Sequence, residues 1–319
     1  MAHQVETMAY AGDVPWHGLG KKVIADLTPD QMLEAAGLNW NVEKRDVTYL
    51  GADGSRRRAS NKKALVRTSD DSFLDMVTAD WNPLQNSEAF SFFNDFVMAG
   101  DMEMHTAGSL ENGRMVWALA KTKNSFELFG SDQVDEYLLF TNPHKFGKSI
   151  TIQSTPIRVV CNNTLTYALN TNSSTGPVRV NHRQTFDADY VKEILGVSKE
   201  KLATYKEVAE FLGSKRYTKD TLNDYFTAVF PRNGQPKKIE TEEDKYSRNH
   251  IQALDVIVNQ PGANYAEGSF WQAFNAVTYM TDHVMGRSTD TRLTSAWFGA
   301  NRKNKITALE KAVEFAEAA

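Results

Sequence analysis

The sequence predicts an α+β protein with a β-rich N-terminal module followed by an α-helical C-terminal module. Up to about residue 185, short stretches rich in β-branched and aromatic residues alternate with turn dipeptides such as Asp53-Gly54, which is typical of strands and hairpins. From about residue 186 the apolar residues recur instead with the 3.6-residue period of amphipathic helices. A length of 319 residues is enough for two domains. We therefore predict domains at 1–185 and 186–319.

Capping and turn signals define the elements of the N-terminal module. Thr28 followed by Pro29 is a common helix start, and that helix is expected to end at Gly37. A second helix is expected to begin near Asn86 and to end at Gly100. The predicted strands are 39–50, 62–68, 72–78, 103–110, 114–121, 137–142, 149–152, 157–160 and 178–181, with a short helix at 162–170.

The C-terminal module is predicted to consist of helices. Ser198, Thr218 and Thr241 lie at expected N-terminal caps, because their short side chains can accept a hydrogen bond from a free backbone N–H. The predicted helices are 187–195, 199–212, 219–230, 241–259, 269–284 and 303–318.

Charge is segregated along the chain although the total is small. The 36 Lys and Arg residues nearly balance 40 Asp and Glu residues, which gives a formal net charge of −4. Residues 41–67, however, carry +5, residues 68–111 carry −9 with no Lys or Arg, and residues 137–186 contain no acid. Such blocks can organise a field that a charged partner recognises, although a block of charge can also be an ordinary solvated face.

The composition and the motifs argue against several classes of protein. One cysteine, Cys161, rules out an internal disulfide framework and a multi-thiolate zinc site, and a buried apolar thiol is favoured over a nucleophile. The sequence contains no signal peptide and no run of 18 apolar residues, which predicts a cytoplasmic protein without a membrane partner. Nucleotide-binding, serine-hydrolase and metalloprotease motifs are also missing, so no cofactor, metal ligand or catalytic residue is assigned.

Two groups of cations form the candidate binding site. The Asp53-Gly54 hairpin signal places three arginines at or just beyond the hairpin tip, with two lysines along one arm. Residues 142–149 interleave cations with Phe146 and a glycine, a combination that suits a groove that follows a nucleic-acid backbone and stacks a base. Arginine suits phosphate because its planar fork donates two parallel hydrogen bonds. The predicted nucleic-acid-binding residues are Arg56, Arg57, Arg58, Lys62, Lys63, Lys145, Lys148 and Arg158.

Several segments of the chain resemble one known family. They are AYAGDVPWHGLG at 9–20, WNPLQNSEAFSFF at 81–93, TAGSLENGRMVWALA at 106–120, YLLFTN at 137–142 and TPIRVVCNNTL at 155–165. In combination these segments are similar to the phage/plasmid-like proteins grouped as a domain of unknown function. The resemblance implies a gene of phages, plasmids or prophages whose product acts in the cytoplasm of a bacterial host. It implies no activity and no catalytic residues.

The predicted architecture and charge, without any shared motif, are also similar to Rad52-type single-strand annealing proteins. Our first interpretation is therefore a phage- or plasmid-type protein that binds and anneals single-stranded DNA in recombination or replication, without covalent chemistry. It is expected to form a homo-oligomeric ring or filament, in which the acidic block 68–111 of one subunit meets a basic block of the next. The alternatives are an accessory protein that binds and inhibits a host or defence protein, and an enzyme with a site assembled around Cys161 or the histidines.

Overall fold

The computed structural model describes residues 4–12, 18–158, 163–164, 177–195, 198–232, 242–286 and 291–319. Within these ranges the β-rich half precedes the helical half, which confirms the α+β class. The strands are β1 Val5–Tyr10, β2 Lys21–Lys22, β3 Val42–Leu50, β4 Arg56–Arg67, β5 Phe73–Thr78, β6 Met102–Leu110, β7 Met115–Leu128, β8 Asp132–Pro143, β9 Ile150–Arg158, β10 Asn163–Thr164 and β11 Val178–Val180.

These strands form two sheets. The larger sheet has the order β10-β9-β8-β7-β6-β1-β2, with β11 paired to β9. The smaller sheet has the order β3-β4-β5 and is antiparallel throughout. The smaller sheet carries most of the predicted basic site.

The helices are α1 Pro29–Ala35, α2 Asn86–Ser91, α3 Asn94–Met98, α4 Ala188–Leu195, α5 Ser198–Ser214, α6 Lys219–Val229, α7 Arg248–Asn259, α8 Phe270–Tyr279, α9 Arg292–Phe298 and α10 Ala300–Glu317. Helices α1 and α6 begin where the capping residues Thr28 and Thr218 predict. At α1 the Thr28 hydroxyl accepts a hydrogen bond from the Gln31 backbone N–H, and the Gln31 side chain accepts one from the Thr28 N–H. The predicted Thr218 cap of α6 is confirmed in the same way, since its hydroxyl accepts from the Thr221 N–H.

Some predicted elements differ from the structure. The single helix expected at 86–100 is two short helices, α2 and α3, because the adjacent rings of Phe92 and Phe93 are both buried at the break between them. The two strands expected at 149–152 and 157–160 are both part of one strand in the described residues, since residues 150–158 form β9, and residues 159–160 lie outside that part.

Two further helix predictions change in the C-terminal half. The helix expected at 241–259 begins only at Arg248, where the Ser247 hydroxyl accepts from the His250 N–H, and a short 3₁₀ turn Glu242–Lys245 precedes it. The helix expected at 269–284 ends in a π-helical turn, Met280–Val284. The helix predicted at 162–170 lies almost entirely outside the described residues, and its two described residues form β10.

The chain divides into two units, each with its own core. The first unit contains residues 1–123, 137–154 and 176–197, and the second contains residues 124–136, 155–175 and 198–319. In the first unit, side chains from both sheets, α1 and α2 surround Phe90, Phe93 and Phe140. In the second unit, helices α5 to α8 and α10 surround Trp271 and Phe274. Each such buried aromatic or large aliphatic side chain contributes about 1.5–3 kcal/mol by leaving water.

None of the helices in the described part of the chain is both long enough and apolar enough to cross a lipid bilayer.

Candidate nucleic-acid interface

The hairpin of β3 and β4 extends beyond the third strand of its sheet. Strand β5 pairs with β4 only over residues 62–66, whereas β3 continues to pair with β4 as far as Arg56. A bulge between Asp46 and Thr48 interrupts this pairing where β5 ends. Residues 47–58 therefore form a two-stranded extension, which we call the ribbon. A bulge increases the local twist and bends the strands that carry it.

The turn at the end of the ribbon is closed by hydrogen bonds of its own. The Gly51 N–H donates to the Ser55 carbonyl at 2.8 Å. The Asp53 carboxylate accepts from the Ser55 N–H at 3.0 Å and from the Ser55 hydroxyl at 2.7 Å, and it also accepts from Arg57 Nη2 at 2.9 Å. These bonds, the one from the Ser55 hydroxyl foremost, hold the pKa of Asp53 below its usual value. Gly54 has a φ of +74°, as the hairpin signal requires.

The three arginines at the start of β4 are all exposed. Arg57 is paired with the turn carboxylate, and Arg58 donates to Asp46 at 2.8 Å. Lys63 donates to the same Asp46 oxygen, and this bond is the main reason why the pKa of Asp46 lies below its usual value. Arg56 has no acidic partner among the residues that the structure describes. Exposed ion pairs contribute little to stability, so Arg57 and Arg58 can exchange their carboxylates for a phosphate at small cost.

The second predicted group of cations lies in a turn that is fixed to the smaller sheet. The Phe146 backbone N–H donates to Asp75 Oδ2, on β5, at 2.9 Å. The same oxygen lies 3.2 Å from Arg114 Nη2. Lys145 donates to Glu111 at 2.8 Å. These contacts hold residues 144–149 against β5 and the β6–β7 turn and leave the Phe146 ring half exposed.

The structure brings the two predicted groups together at one point. Lys62 Nζ, on β4, lies 5.5 Å from the centroid of the Phe146 ring. Lys148 is exposed, and its N–H donates to the Lys145 carbonyl, so it belongs to the same tight turn. Within the described part of the chain, neither Lys62 nor Lys148 forms an ion pair with an acid. We call Lys62, Phe146 and Lys148 the Phe146 surface.

The acidic block is largely neutralised within the same chain. Six of its acids form ion pairs with a cation of the first unit: Asp70 with Arg67, Asp71 with Arg45, Asp75 with Arg114, Asp80 with Arg183, Asp95 with Lys192, and Glu111 with Lys145. The head-to-tail contact predicted for an oligomer relied on these acids meeting a neighbouring subunit. Several of these acids, such as Asp71, Asp80 and Asp95, are exposed and could exchange their partner for a cation of a neighbouring subunit, so the head-to-tail contact and the oligomer stay predictions.

Three features of the sequence analysis cannot be placed in this interface. Arg158 is the last residue of β9 and belongs to the second unit, and its side chain is outside the described part. Cys161 and residues 13–17, which include the Trp and His of the PWHGLG segment, are also outside the described residues.

A buried polar cluster at the start of the turn was not predicted from the sequence. His144 is fully buried, and its Nε2 lies 3.0 Å from the Asn86 side-chain oxygen. The ring of His182 stacks on Trp81 at 4.0 Å, and its Nδ1 lies 3.0 Å from the Asn82 carbonyl oxygen. Burial lowers the pKa of His144 to about 3 and that of His182 to about 4, so both rings are neutral at pH 7.

The cluster also contains an asparagine that directly ties β8 to the segment before α2. Asn142 Nδ2 donates to the Leu84 carbonyl at 2.9 Å and lies 3.5 Å from the Asn86 side-chain oxygen. The only sequence feature that pointed to this cluster was the presence of Asn142 and His144, two residues apart, just before the basic turn. The structure shows that these two side chains anchor the turn and do not contribute to its exposed surface.

The described residues offer no obvious metal centre. No group of three or more His, Cys, Asp or Glu side chains in these ranges is placed to hold a metal ion. The cations and the aromatic ring of the interface suit the binding of anions and stacking on planar groups.

The structure thus defines an α+β protein of two units, with a basic ribbon and a half-exposed aromatic ring on the first unit. The chain belongs to the family described as a domain of unknown function, DUF932, whose model matches residues 73–297. The match begins at the first residue of β5, so the ribbon precedes it while the basic turn lies within it. Neither the curated proteins nor the solved structures include a significant match to the chain.

Proposed function

We propose that this protein binds single-stranded nucleic acid through the Phe146 surface and the arginines of the ribbon. The observation that carries the proposal is the contact of Lys62 with the half-exposed Phe146 ring, which joins a cation to a stacking platform. Proteins that bind single strands combine a positive surface with aromatic rings in this way, because every base presents a flat face. Arg56 lies on the same strand as Lys62, on the far side of the bulge in the β3–β4 pairing.

The proposed mechanism is electrostatic and involves no covalent step. Lys and Arg side chains replace the counterions of the phosphates, and the ions released make binding favourable at low salt. A base stacks on Phe146 while its neighbours keep their hydrogen-bonding edges free. A strand held in this manner can pair with a second strand, which is the chemistry that annealing in recombination or replication requires.

The origin of the protein and its assembly form part of the same proposal. The segments shared with the phage/plasmid-like proteins support a mobile element in a bacterial cytoplasm as its source. A homo-oligomeric ring or filament would extend the interface along a strand, as in Rad52-type proteins. Light scattering after size exclusion, with and without an oligonucleotide, tests the assembly. A monomer under both conditions would contradict it.

The two alternative functions have less support. An acidic working surface for a host protein would have to displace the cations of this chain that are paired with six acids of the acidic block. A histidine-based active site would need accessible rings, which His144 and His182 do not provide because both are buried and neutral.

Binding of a fluorescent single-stranded oligonucleotide, measured over a range of salt concentrations, tests the proposal. For Lys62→Ala and Lys148→Ala we expect weaker binding and a slope of log K against log salt that is smaller by about 0.7 per cation removed. Phe146→Ala should weaken binding roughly 5- to 100-fold with an unchanged slope, because it removes stacking and no charge. Lys311→Ala removes a partly exposed cation, paired with Glu314, from α10 and serves as the control. A flat salt dependence of the unsubstituted protein would refute the proposal.

A further inference from the structure

The end of the ribbon exposes two large apolar side chains. Tyr49 is 54% exposed and Leu50 is 72% exposed, and both belong to the part of the hairpin that extends beyond β5. A two-stranded ribbon without a third strand or a packed helix is marginally stable by itself. The large apolar side chains at its end pack into no hydrophobic core, and we take their exposure to indicate a binding partner.

The register of the ribbon places an arginine beside each apolar side chain. Tyr49 lies directly opposite Arg57, and Leu50 lies directly opposite Arg56. Because directly opposite residues of an antiparallel pair point to the same face, one face presents Tyr49 with Arg57 and the other presents Leu50 with Arg56. Both faces of the ribbon thus combine an apolar group with a guanidinium.

We propose that the ribbon inserts Tyr49 and Leu50 between neighbouring bases of the bound nucleic acid, while Arg56 and Arg57 contact the flanking phosphates. This inference rests on the proposed function and adds that the protein recognises the base stack as well as the phosphates. Apolar side chains that enter between neighbouring bases unstack them.

The charge of the ribbon favours nucleic acid over a protein as its partner. Residues 47–58 contain three arginines and one aspartate, a net charge of +2. The nearest free cation on the same strand is Lys62 of the Phe146 surface, so the positive charge continues along β4. A polyanion with flat apolar bases matches both properties of the ribbon.

An oligonucleotide that contains 2-aminopurine tests the inference, because this base becomes more fluorescent when it leaves the stack. We expect the unsubstituted protein at saturation to raise the fluorescence, and the double variant Tyr49→Ala, Leu50→Ala to lose that rise. The double variant should bind roughly 5- to 100-fold more weakly, with the same salt slope as the unsubstituted protein. Tyr49→Phe should keep the rise. Tyr190→Ala, Met98→Ala removes two other exposed apolar side chains of the first unit and is the matched control.

The outcomes separate this inference from the proposed function. If the protein binds with a salt-dependent affinity and the fluorescence does not change, insertion is refuted while single-strand binding stands. If the double variant binds as tightly as the unsubstituted protein and raises the 2-aminopurine fluorescence equally, insertion is also refuted. The exposed Tyr49 and Leu50 would then form a surface for a protein partner. If the unsubstituted protein does not bind the oligonucleotide at any salt concentration, both ideas fail together.

Discussion

The two ends of β4 carry arginines in opposite situations. At its last residue, Arg67 donates to Glu6 at 2.7 Å and to Asp70, and its side chain is only 12% exposed. The guanidinium also lies 5.3 Å from the ring of Trp40. At the first residue, Arg56 is exposed and forms no ion pair with any described residue. The same residue type thus has a structural role at one end of the strand and is free to bind a ligand at the other.

The partners of Arg67 explain why it belongs to the structure. The hydrogen bond from Arg67 is the main reason why the pKa of Asp70 lies well below its usual value. The hydrogen bond to Asp70 and, to a smaller extent, the one to Glu6 raise the pKa of Arg67. Glu6 lies on β1 and also accepts a hydrogen bond from Ser109, on β6, so Arg67 links the smaller sheet to the larger one.

Arg67→Ala is expected to have the largest effect on stability. It removes one partner of a mostly buried pair, leaves Glu6 without its cation and removes the guanidinium beside Trp40, so we expect a loss of about 3 kcal/mol. Urea unfolding followed by tryptophan fluorescence measures this loss. Arg45 also has two acidic partners, Glu43 and Asp71, but it is 46% exposed.

Arg45→Ala is therefore the matched control, and we expect it to cost less than about 1 kcal/mol. Equal losses for the Arg45 and Arg67 variants would contradict the difference that we draw between paired arginines in buried and in exposed positions.

A second expected effect concerns the buried histidines behind the basic turn. The pKa of His144 is about 3 and that of His182 about 4 in the folded chain, both below the ordinary value of 6.5. As the pH falls below 6.5, the unfolded chain takes up protons that the folded chain does not, so stability is complete above 6.5 and decreases below it. At pH 6.0 we expect a loss of about 1 kcal/mol for each histidine.

Urea unfolding at pH 7.5 and pH 6.0 measures this loss, and glutamine variants assign it. His144→Gln and His182→Gln should each lower the stability at pH 7.5 but reduce the difference between the two pH values. A pH difference that stays the same in both variants would show that other groups cause it.

Local features of the fold were predictable, whereas the difference between the two ends of β4 was not. The hairpin turn at Asp53-Gly54, the cap at Thr28 and the position of the three arginines follow from residues within a few positions of each other. Glu6 is 61 residues from Arg67, and Phe146 is more than 80 residues from Lys62. Contacts over such distances depend on how the sheets pack, which local patterns do not encode.

The same reasoning applies to the charge of the chain. The blocks of opposite sign were visible in the sequence, but their pairing within one chain was not. Asp75 illustrates the difficulty, because it holds Arg114 and the Phe146 N–H at once, although both are distant in sequence. The break between α2 and α3 has a similar origin, since burial of both Phe92 and Phe93 is decided by the core.

The smallest expected effect is that of removing the ribbon arginines. Arg56→Ala should change the free energy of unfolding by less than about 0.5 kcal/mol, because the side chain is exposed and contacts no acid in the described part of the chain. Arg58→Ala, which breaks an exposed pair with Asp46, should behave similarly. Both should nevertheless reduce the salt dependence of single-strand binding by about 0.7 in slope, whereas Arg67→Ala should leave that slope unchanged. If Arg56→Ala costs no stability and yet weakens binding, the free end of β4 is the end that contacts the ligand. If Arg56→Ala instead lowers stability and leaves the slope of log K against log salt unchanged, Arg56 has a structural role like that of Arg67.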